Sequence, residues 1–459
     1  MSIFSNYREH YRDTIQLGIP IMMGQLGIII VNFADNIMVG HHSTQELAAA
    51  SFVNNFFNLA FICGMGFSYG LTPIIGGLVA NKQYNNAGEM LKNSLFINFL
   101  FGLLLSFGML LLLLRIDLLN QPEELMPYII PYYILQLFSI IFTMLFNAFK
   151  QFSDGTTDTI TPMWIMLGAN VLNIIGNYIL IYGNFGAPEL GLMGAGISTL
   201  FSRIATLLVF WYLFVSKDKY KNYYTGFKQG KIFNKLNIRK LIHLGLPVGL
   251  QMGVETASFS LSVVMMGWLG YIALAGHQIA CVITTLGFMV YYGIAAAVAI
   301  RISRYRGIGN WTEIRKAGYA GLHIITAIAL LVICIIFVTR NYIGYLFTTE
   351  EEVISIVSLL CISLMLYQLG DGLQILFANA LRGLSDVKYM AWAACFCHFG
   401  LALPIGYFCG FTLEWGALGI WCGYPVSLTT LGILLWRRFH FILNRSPQNN
   451  SPQKATAGN

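Results

Sequence analysis

LGLPVGLQMGVETASFSLSVVMMGWLG, from Leu244 to Gly270, is a membrane-length run that holds one charged side chain, Glu255. Its opening is a second copy of an earlier stretch. LGIPIMMGQ from Leu17 matches LGLPVGLQ from Leu244, so Pro20 answers Pro247 at an offset of 247 minus 20, or 227. The same offset pairs Gly40 with Gly267, Leu47 with Leu274 and Gly66 with Gly293. Further on, NAFKQFSD from Asn147 matches NALRGLSD from Asn379 at an offset of 232, a net gain of five residues in the second copy. A duplicated chain of long apolar runs predicts an all-α integral membrane protein. Copies of six spans return the chain to its starting side, so the two are parallel repeats related by an axis along the membrane normal, the architecture of alternating-access carriers.

Composition agrees: 56% of residues are hydrophobic and 10% charged, against roughly 25% charged in soluble domains. Apolar stretches long enough to cross a core of about 30 Å recur along the length, and counting them predicts about twelve transmembrane helices in two six-helix lobes. The expected domains are 1–215 for spans one to six, a basic cytoplasmic linker at 216–240, 241–445 for spans seven to twelve, and a polar, disordered tail at 446–459. Charged residues from Arg8 to Asp13 ahead of a long apolar run with no small-residue cleavage site predict a retained first span rather than a signal peptide. Of the 27 Lys and Arg, all but Arg115, Arg340 and Arg203 fall on one side of this topology. The positive-inside rule therefore predicts cytoplasmic termini. The formal charge of +7 is explained by short cytoplasmic loops rather than by a nucleic-acid-binding face, so no nucleic-acid partner is expected. The eight cysteines lie in apolar spans without CxxC spacing and read as packing residues.

Only Asp35, Glu255 and Asp371 among the acidic residues fall well inside spans. A carboxylate at that depth costs roughly 2.5 to 3.5 kcal/mol on insertion scales and marks an ion or substrate path by default. Each sits on a polar stripe at helical spacing: Gln25, Asn32 and Asp35; Gln251, Glu255, Ser258 and Ser262; Gln368, Asp371 and Asn379. Asn170, Asn173 and Asn177 form a fourth. Lipid cannot satisfy such stripes, so they are expected to face protein or a water-filled cavity. Carboxylate and amide oxygens suit a hard cation, and a buried carboxylate also carries a proton, so the residue types fit either Na+ or H+. Arg203, the one basic group inside a span, is expected to pair with a carboxylate or snorkel, in a structural role. His323 and His398 read as hydrogen-bonded packing residues, and His277 beside Gln278 is left open. Subtracting 227 sets Ile28 opposite Glu255 and Ser262 opposite Asp35, and subtracting 232 sets Ser139 opposite Asp371, so the carboxylates are not duplicated with the scaffold.

At these residues the chain resembles the multidrug and toxic compound extrusion (MATE) family, in its bacterial NorM-type branch. FADNIMVG from Phe33 resembles the first-helix aspartate motif, and LNIIGNYILIYGNFGAPELGLMGAGIST from Leu172 the fifth and sixth helices. QLGDGLQILFANALRGLSD from Gln368 resembles the tenth, and LPIGYFCGF with WGALGIWCG from Leu403 the last two. The resemblance implies a V-shaped pair of six-helix lobes that exports cationic lipophilic drugs in exchange for inward Na+ or H+. It implies no cofactor besides that ion, and the expected working unit is a monomer among membrane lipids. It further implies cation binding, with Na+ as the candidate metal, at Glu255 and Asp371 of the second lobe, an ion and proton network at Asp35, Asn173 and Asn177 of the first, and cavity lining by Gln278. Tyr291 stands where many relatives have proline, which bears on the bend of the eighth span and on cavity lining there.

Two rivals differ in chemistry. A lipid-linked precursor flippase would want cationic groups for pyrophosphate, and Arg203 alone is available inside the spans. An intramembrane aspartyl protease would use Asp35 and Asp371, but Gln368-Leu369-Gly370-Asp371 lacks the first glycine of the GxGD pattern, and no HExxH occurs. The chain is therefore expected to be a transporter and not an enzyme.

Overall fold

The computed structural model describes residues 7–116 and 122–445. The expectation of a disordered tail from Ser446 lies outside the described residues. Among those described, twelve helices are long and apolar enough to cross a membrane: α1 (Arg8–His42), α2 (Thr44–Ala80), α3 (Tyr84–Leu113), α4 (Glu123–Gly155), α5 (Ile160–Tyr182), α6 (Leu192–Ser216), α7 (Lys235–Trp268), α8 (Tyr271–Gly307), α9 (Trp311–Thr339), α10 (Glu351–Gly383), α11 (Val387–Thr412) and α12 (Gly416–Asn444). A backbone in lipid must satisfy its own N–H and C=O groups, which is why the apolar runs become helices. Two spans are irregular. In α2 the helix breaks at Tyr69–Leu71 and restarts at Thr72 with Pro73 in its first turn. In α11 two π-helical stretches, Phe396–Ala402 and Phe408–Thr412, flank Leu403–Tyr407. With tyrosine in the place of a proline, α8 runs unbroken through Tyr291.

The duplication is visible in the packing. In the first copy α4 is the central helix, packed by α2, α3 and α6; in the second α10 holds that place, packed by α8, α9 and α12. The repeated NAFKQFSD and NALRGLSD motifs end these two helices.

By its contacts the chain falls into two units, Ile19–Ala257 and the remaining described residues. The divisions cut within α1 and α7 rather than at the polar connection. Glycines explain why. In the first unit Gly66 and Gly70 of α2 cross Gly245, Gly249 and Gly253 of α7, so closely that a Cβ on Gly66 would lie 2.9 Å from the Gly249 Cα, and one on Gly70 would lie 2.6 Å from the Gly245 nitrogen. Small residues four apart let helix backbones meet in this way. In the other unit Gly18 of α1 meets Gly293 and Ile294 of α8, a Cβ there lying 3.2 Å from the Gly293 carbonyl oxygen. Gly18 and Gly293 are the repeat partners of Gly245 and Gly66, so both units use the same crossing. Gly66→Val is accordingly expected to destabilise the protein by about 1–3 kcal/mol through overpacking. Gly108→Val, where nothing lies within 4 Å, serves as the control, and equal melting temperatures for the two purified variants would contradict the close crossing.

The polar connection is built rather than loose. A helix at Lys221–Gln229 lies on α3, where a Cβ on Gly88 would come 1.9 Å from the Tyr223 carbonyl oxygen. Asn93 then accepts from the Asn234 backbone N–H at 2.8 Å and donates to the Lys231 carbonyl at 3.0 Å. Asp158, in the turn before α5, accepts from Lys219 Nζ at 2.6 Å and from the Tyr220 hydroxyl at 2.5 Å. Burial pushes this carboxyl up, but the hydrogen bonds from Lys219, Tyr220 and Thr161 outweigh it and hold Asp158 below its ordinary value. A depressed carboxylate keeps its stabilisation above the ordinary range and loses it only as pH falls through the lowered value, so this clasp is complete at neutral pH.

Candidate functional site

In the unit Ile19–Ala257, α1 and α5 bring Asp35 and Asn177 together. Asn177 is fully buried, and its Nδ2 donates to Asp35 Oδ1 at 2.5 Å. Asn173, one turn earlier, donates from Nδ2 to Thr199 Oγ1 of α6 at 3.1 Å. The approach of α1 to α5 runs over Gly24 and Gly27, where added Cβ atoms would meet Met166 and Asn170. The amide oxygens of Asn173 and Asn177 are both buried with no hydrogen-bond partner. Buried acceptors lacking a donor are uncommon and call for a water or a cation. The expected first-helix stripe is uneven: Gln25 is buried and Asp35 part-buried, but Asn32 is exposed.

Among the described residues Arg203 forms no ion pair. Its Nη1 donates to Gln136 Oε1 at 3.2 Å and to Ser139 Oγ, both on α4, and its guanidinium lies 4.5 Å from the ring centroid of Phe61. Asp35 and Tyr132 lie within its electrostatic reach. Glu255, on α7, is part-buried and accepts from Gln251 Nε2 at 3.0 Å, leaving Gln251 Oε1 buried without a partner.

In the other unit Asp371 is 1% exposed on the central helix α10. One turn before it, Gln368 Oε1 accepts from the Tyr291 hydroxyl of α8 at 2.8 Å, while Gln368 Nε2 is buried without a partner. Tyr291 is itself fully buried and within electrostatic reach of Asp371. The residue in the place of a proline thus serves as a hydrogen-bond donor to the tenth span. Asn379, grouped with Asp371 by spacing, does not join it: its Nδ2 donates to the Ile375 carbonyl and its Oδ1 accepts from Arg382. Gln278 is exposed and lines a cavity of about 400 Å³ with Val282, Phe347 and Glu350.

A family model described as MatE matches this chain twice, over residues 20–179 and 247–408. The chain belongs to the MatE family. The two matches begin at Pro20 and Pro247, the same pair that the internal repeat aligns. Among similar proteins, the probable multidrug resistance protein NorM of Photorhabdus laumondii is 30% identical over 95% of this chain and 96% of its own. That of Mannheimia succiniciproducens is 29% identical, with 97% of each chain covered. The fold matches the Vibrio cholerae MATE transporter VcmN in the bent form, with a TM-score of 0.85 at 19% identity over 96% of this chain and 98% of that one. It also matches the eukaryotic MATE transporter AtDTX14, with a TM-score of 0.86 at 18% identity over 96% and 99%. This MatE protein is a transporter and not an enzyme, a multi-pass protein of the bacterial inner membrane.

Several polar groups of this MatE chain escaped sequence reasoning. Glu46 is buried at the start of α2, where Ser43 caps its N–H. The spacing Ser43-x-x-Glu46 is that of a capping box, yet the carboxylate turns away and accepts from the Leu192 N–H at 2.8 Å, capping α6 instead. Gly191, at φ +53°, makes room, because a Cβ there would lie 2.3 Å from Glu46 Oε1. Lys150 and Asp154 form a buried pair at the end of α4 that the spacing of four in the motif already displays. His277 is a satisfied core residue whose Nδ1 accepts from Trp421 Nε1 at 3.0 Å. His323 bonds the Tyr11 hydroxyl at 2.8 Å. His398 departs from expectation: it is fully buried in the π-helical part of α11 with neither ring nitrogen hydrogen-bonded. Packing, not a hydrogen bond, holds it there.

Proposed function

We propose that the protein exports lipophilic cations from the bacterial cytoplasm in exchange for inward Na+ or H+, by alternating access, as a monomer with cytoplasmic termini. The observation that carries this is Asp35 of α1 held by Asn177 of α5, with the buried amide oxygens of Asn173 and Asn177 left without a donor among the described residues. Carboxylate and amide oxygens are what a hard cation prefers, and a carboxylate in such a place also takes a proton. Asp371 and Glu255 are the further ionisable groups inside spans and are assigned as cation ligands, each in its own unit. The names of the relatives, multidrug resistance proteins, support the cargo class. Ion and drug then bind different access states, and coupling is the difference in affinity between those states.

Ethidium efflux from drug-sensitive cells tests this directly. Glu255→Gln removes one ionised ligand and is expected to slow Na+-driven or pH-driven efflux by about threefold to tenfold. Undiminished efflux in the mutant under both gradients would take Glu255 out of the ligand set. Binding of a lipid-linked precursor with no ethidium efflux by the wild type would favour a flippase instead.

A further inference from the structure

The repeat that relates α4 to α10 carries a reversal of charge. At the offset of 232, Gln136 answers Gln368 and Ser139 answers Asp371. In the second copy the glutamine accepts from the Tyr291 hydroxyl, with the Asp371 carboxylate one turn on. In the first copy the same glutamine position accepts from Arg203, and a neutral serine replaces the carboxylate and binds the same guanidinium. Beside equivalent places on the two central helices there is thus a carboxyl in one copy and, reaching in from α6, a guanidinium in the other.

Arg203 is not used up by its partners. Its five donors need acceptors, and only Nη1 has them; Nε and Nη2 make no hydrogen bond among the described residues and are not sealed, since the side chain is only part-buried. It does not face lipid either. Phe201 and Leu208 of α6 are 61% and 60% exposed, and at about 100° per residue Arg203 points away from Phe201, toward α4 and α2. Phe61 covers one face of the guanidinium, 4.5 Å from its ring centroid, and leaves the open edge as a fork. A guanidinium fork with two uncommitted nitrogens, Nε and Nη2, is the geometry that recognises a carboxylate. Asp35 lies within electrostatic reach in the same unit but forms no ion pair with it.

We propose that the first unit binds the carboxylate of zwitterionic substrates through Arg203, with Asp35 answering the substrate's positive end. This rests on the transport function proposed above and assigns to Arg203 the discrimination of compounds that carry both charges from plain cations. Arg203 would contact the substrate directly, while Gln136, Ser139 and Phe61 hold the fork in place.

The test uses the purified full-length protein and a pair of fluorescent probes, a rhodamine with a free carboxylate and its methyl ester, a pure cation. Arg203→Gln is expected to weaken binding of the carboxylate dye about tenfold or more, because a charge-assisted bidentate contact is lost, and to leave the ester unchanged. Arg203→Lys keeps the charge without the fork and is expected to fall between. Unchanged ester binding also reports that the variant is folded. Equal losses for both dyes would show a structural role and overturn the proposal, as would no loss for either, or a wild type that binds the ester alone. A wild type that neither binds nor exports either dye would overturn the transport function itself.

Discussion

Asp371→Asn is expected to reduce ion-driven ethidium efflux in proteoliposomes by about tenfold or more, the effect of neutralising a fully buried carboxyl proposed as a cation ligand. Asp371 is 1% exposed and sits on the helix at the centre of its lobe, beside a glutamine already committed to Tyr291. The amide has the shape of the carboxylate, so packing against α8 and α12 is kept, and what goes is the charge. The informative experiment imposes Na+ and pH gradients separately. If Asp371 binds Na+, the Na+-driven component falls and the proton-driven one persists; if it carries a proton, the reverse follows. Asp35 lies in the other unit with different partners, and Asp35→Asn is assigned a different defect. Identical ion dependence and drug affinity in the two mutants would end that division of labour.

Lys150→Met is expected to cost about 3–5 kcal/mol of stability, the penalty for leaving a buried charge without its partner. Lys150 and Asp154 have side chains 9% and 7% exposed and lie 3.5 Å apart on α4, and Asp154 Oδ1 has no hydrogen-bond partner. Removing the ammonium strands the carboxylate. The double variant Lys150→Met with Asp154→Leu is expected to recover most of the loss, because replacing a buried pair by apolar groups of similar size is often neutral. Thermal melting of the purified proteins decides it: a double variant no more stable than the single would mean that Lys150 acts through other contacts. In the second copy the corresponding arginine is buried, but the carboxylate is only part-buried. There Asp386 turns to Arg438 of α12 at 2.5 Å, and Arg382 donates to Asn379. The duplicated motif therefore predicts unequal sensitivity at its two sites.

The class, the number of spans and the duplication are determined by the sequence alone, because each is a one-dimensional property. Hydrophobic length is set by bilayer thickness, and a repeat survives as an offset between residues such as Pro20 and Pro247. The carboxylates Asp35, Glu255 and Asp371 were legible for the same reason, since a charge inside an apolar run is visible without coordinates.

Partners were not legible, because they depend on how helices rotate and cross. Spacing placed Asn32 with Asp35 and Asn379 with Asp371, yet the fold exposes the first and gives the second to Arg382. Arg203 looked like a cation in search of a carboxylate, and the fold gave it Gln136, Ser139 and an aromatic face. Tyr291 looked like a missing proline, and became the donor that fixes Gln368. The grouping of contacts likewise came from tertiary structure. The polar connection suggested a cut between lobes, but glycine crossings at Gly66 with Gly249 and at Gly18 with Gly293 draw the first halves of α7 and α1 into packing that no linear boundary shows. The sequence determined which side chains must be hidden from lipid; only the tertiary structure decided what each of them would meet there.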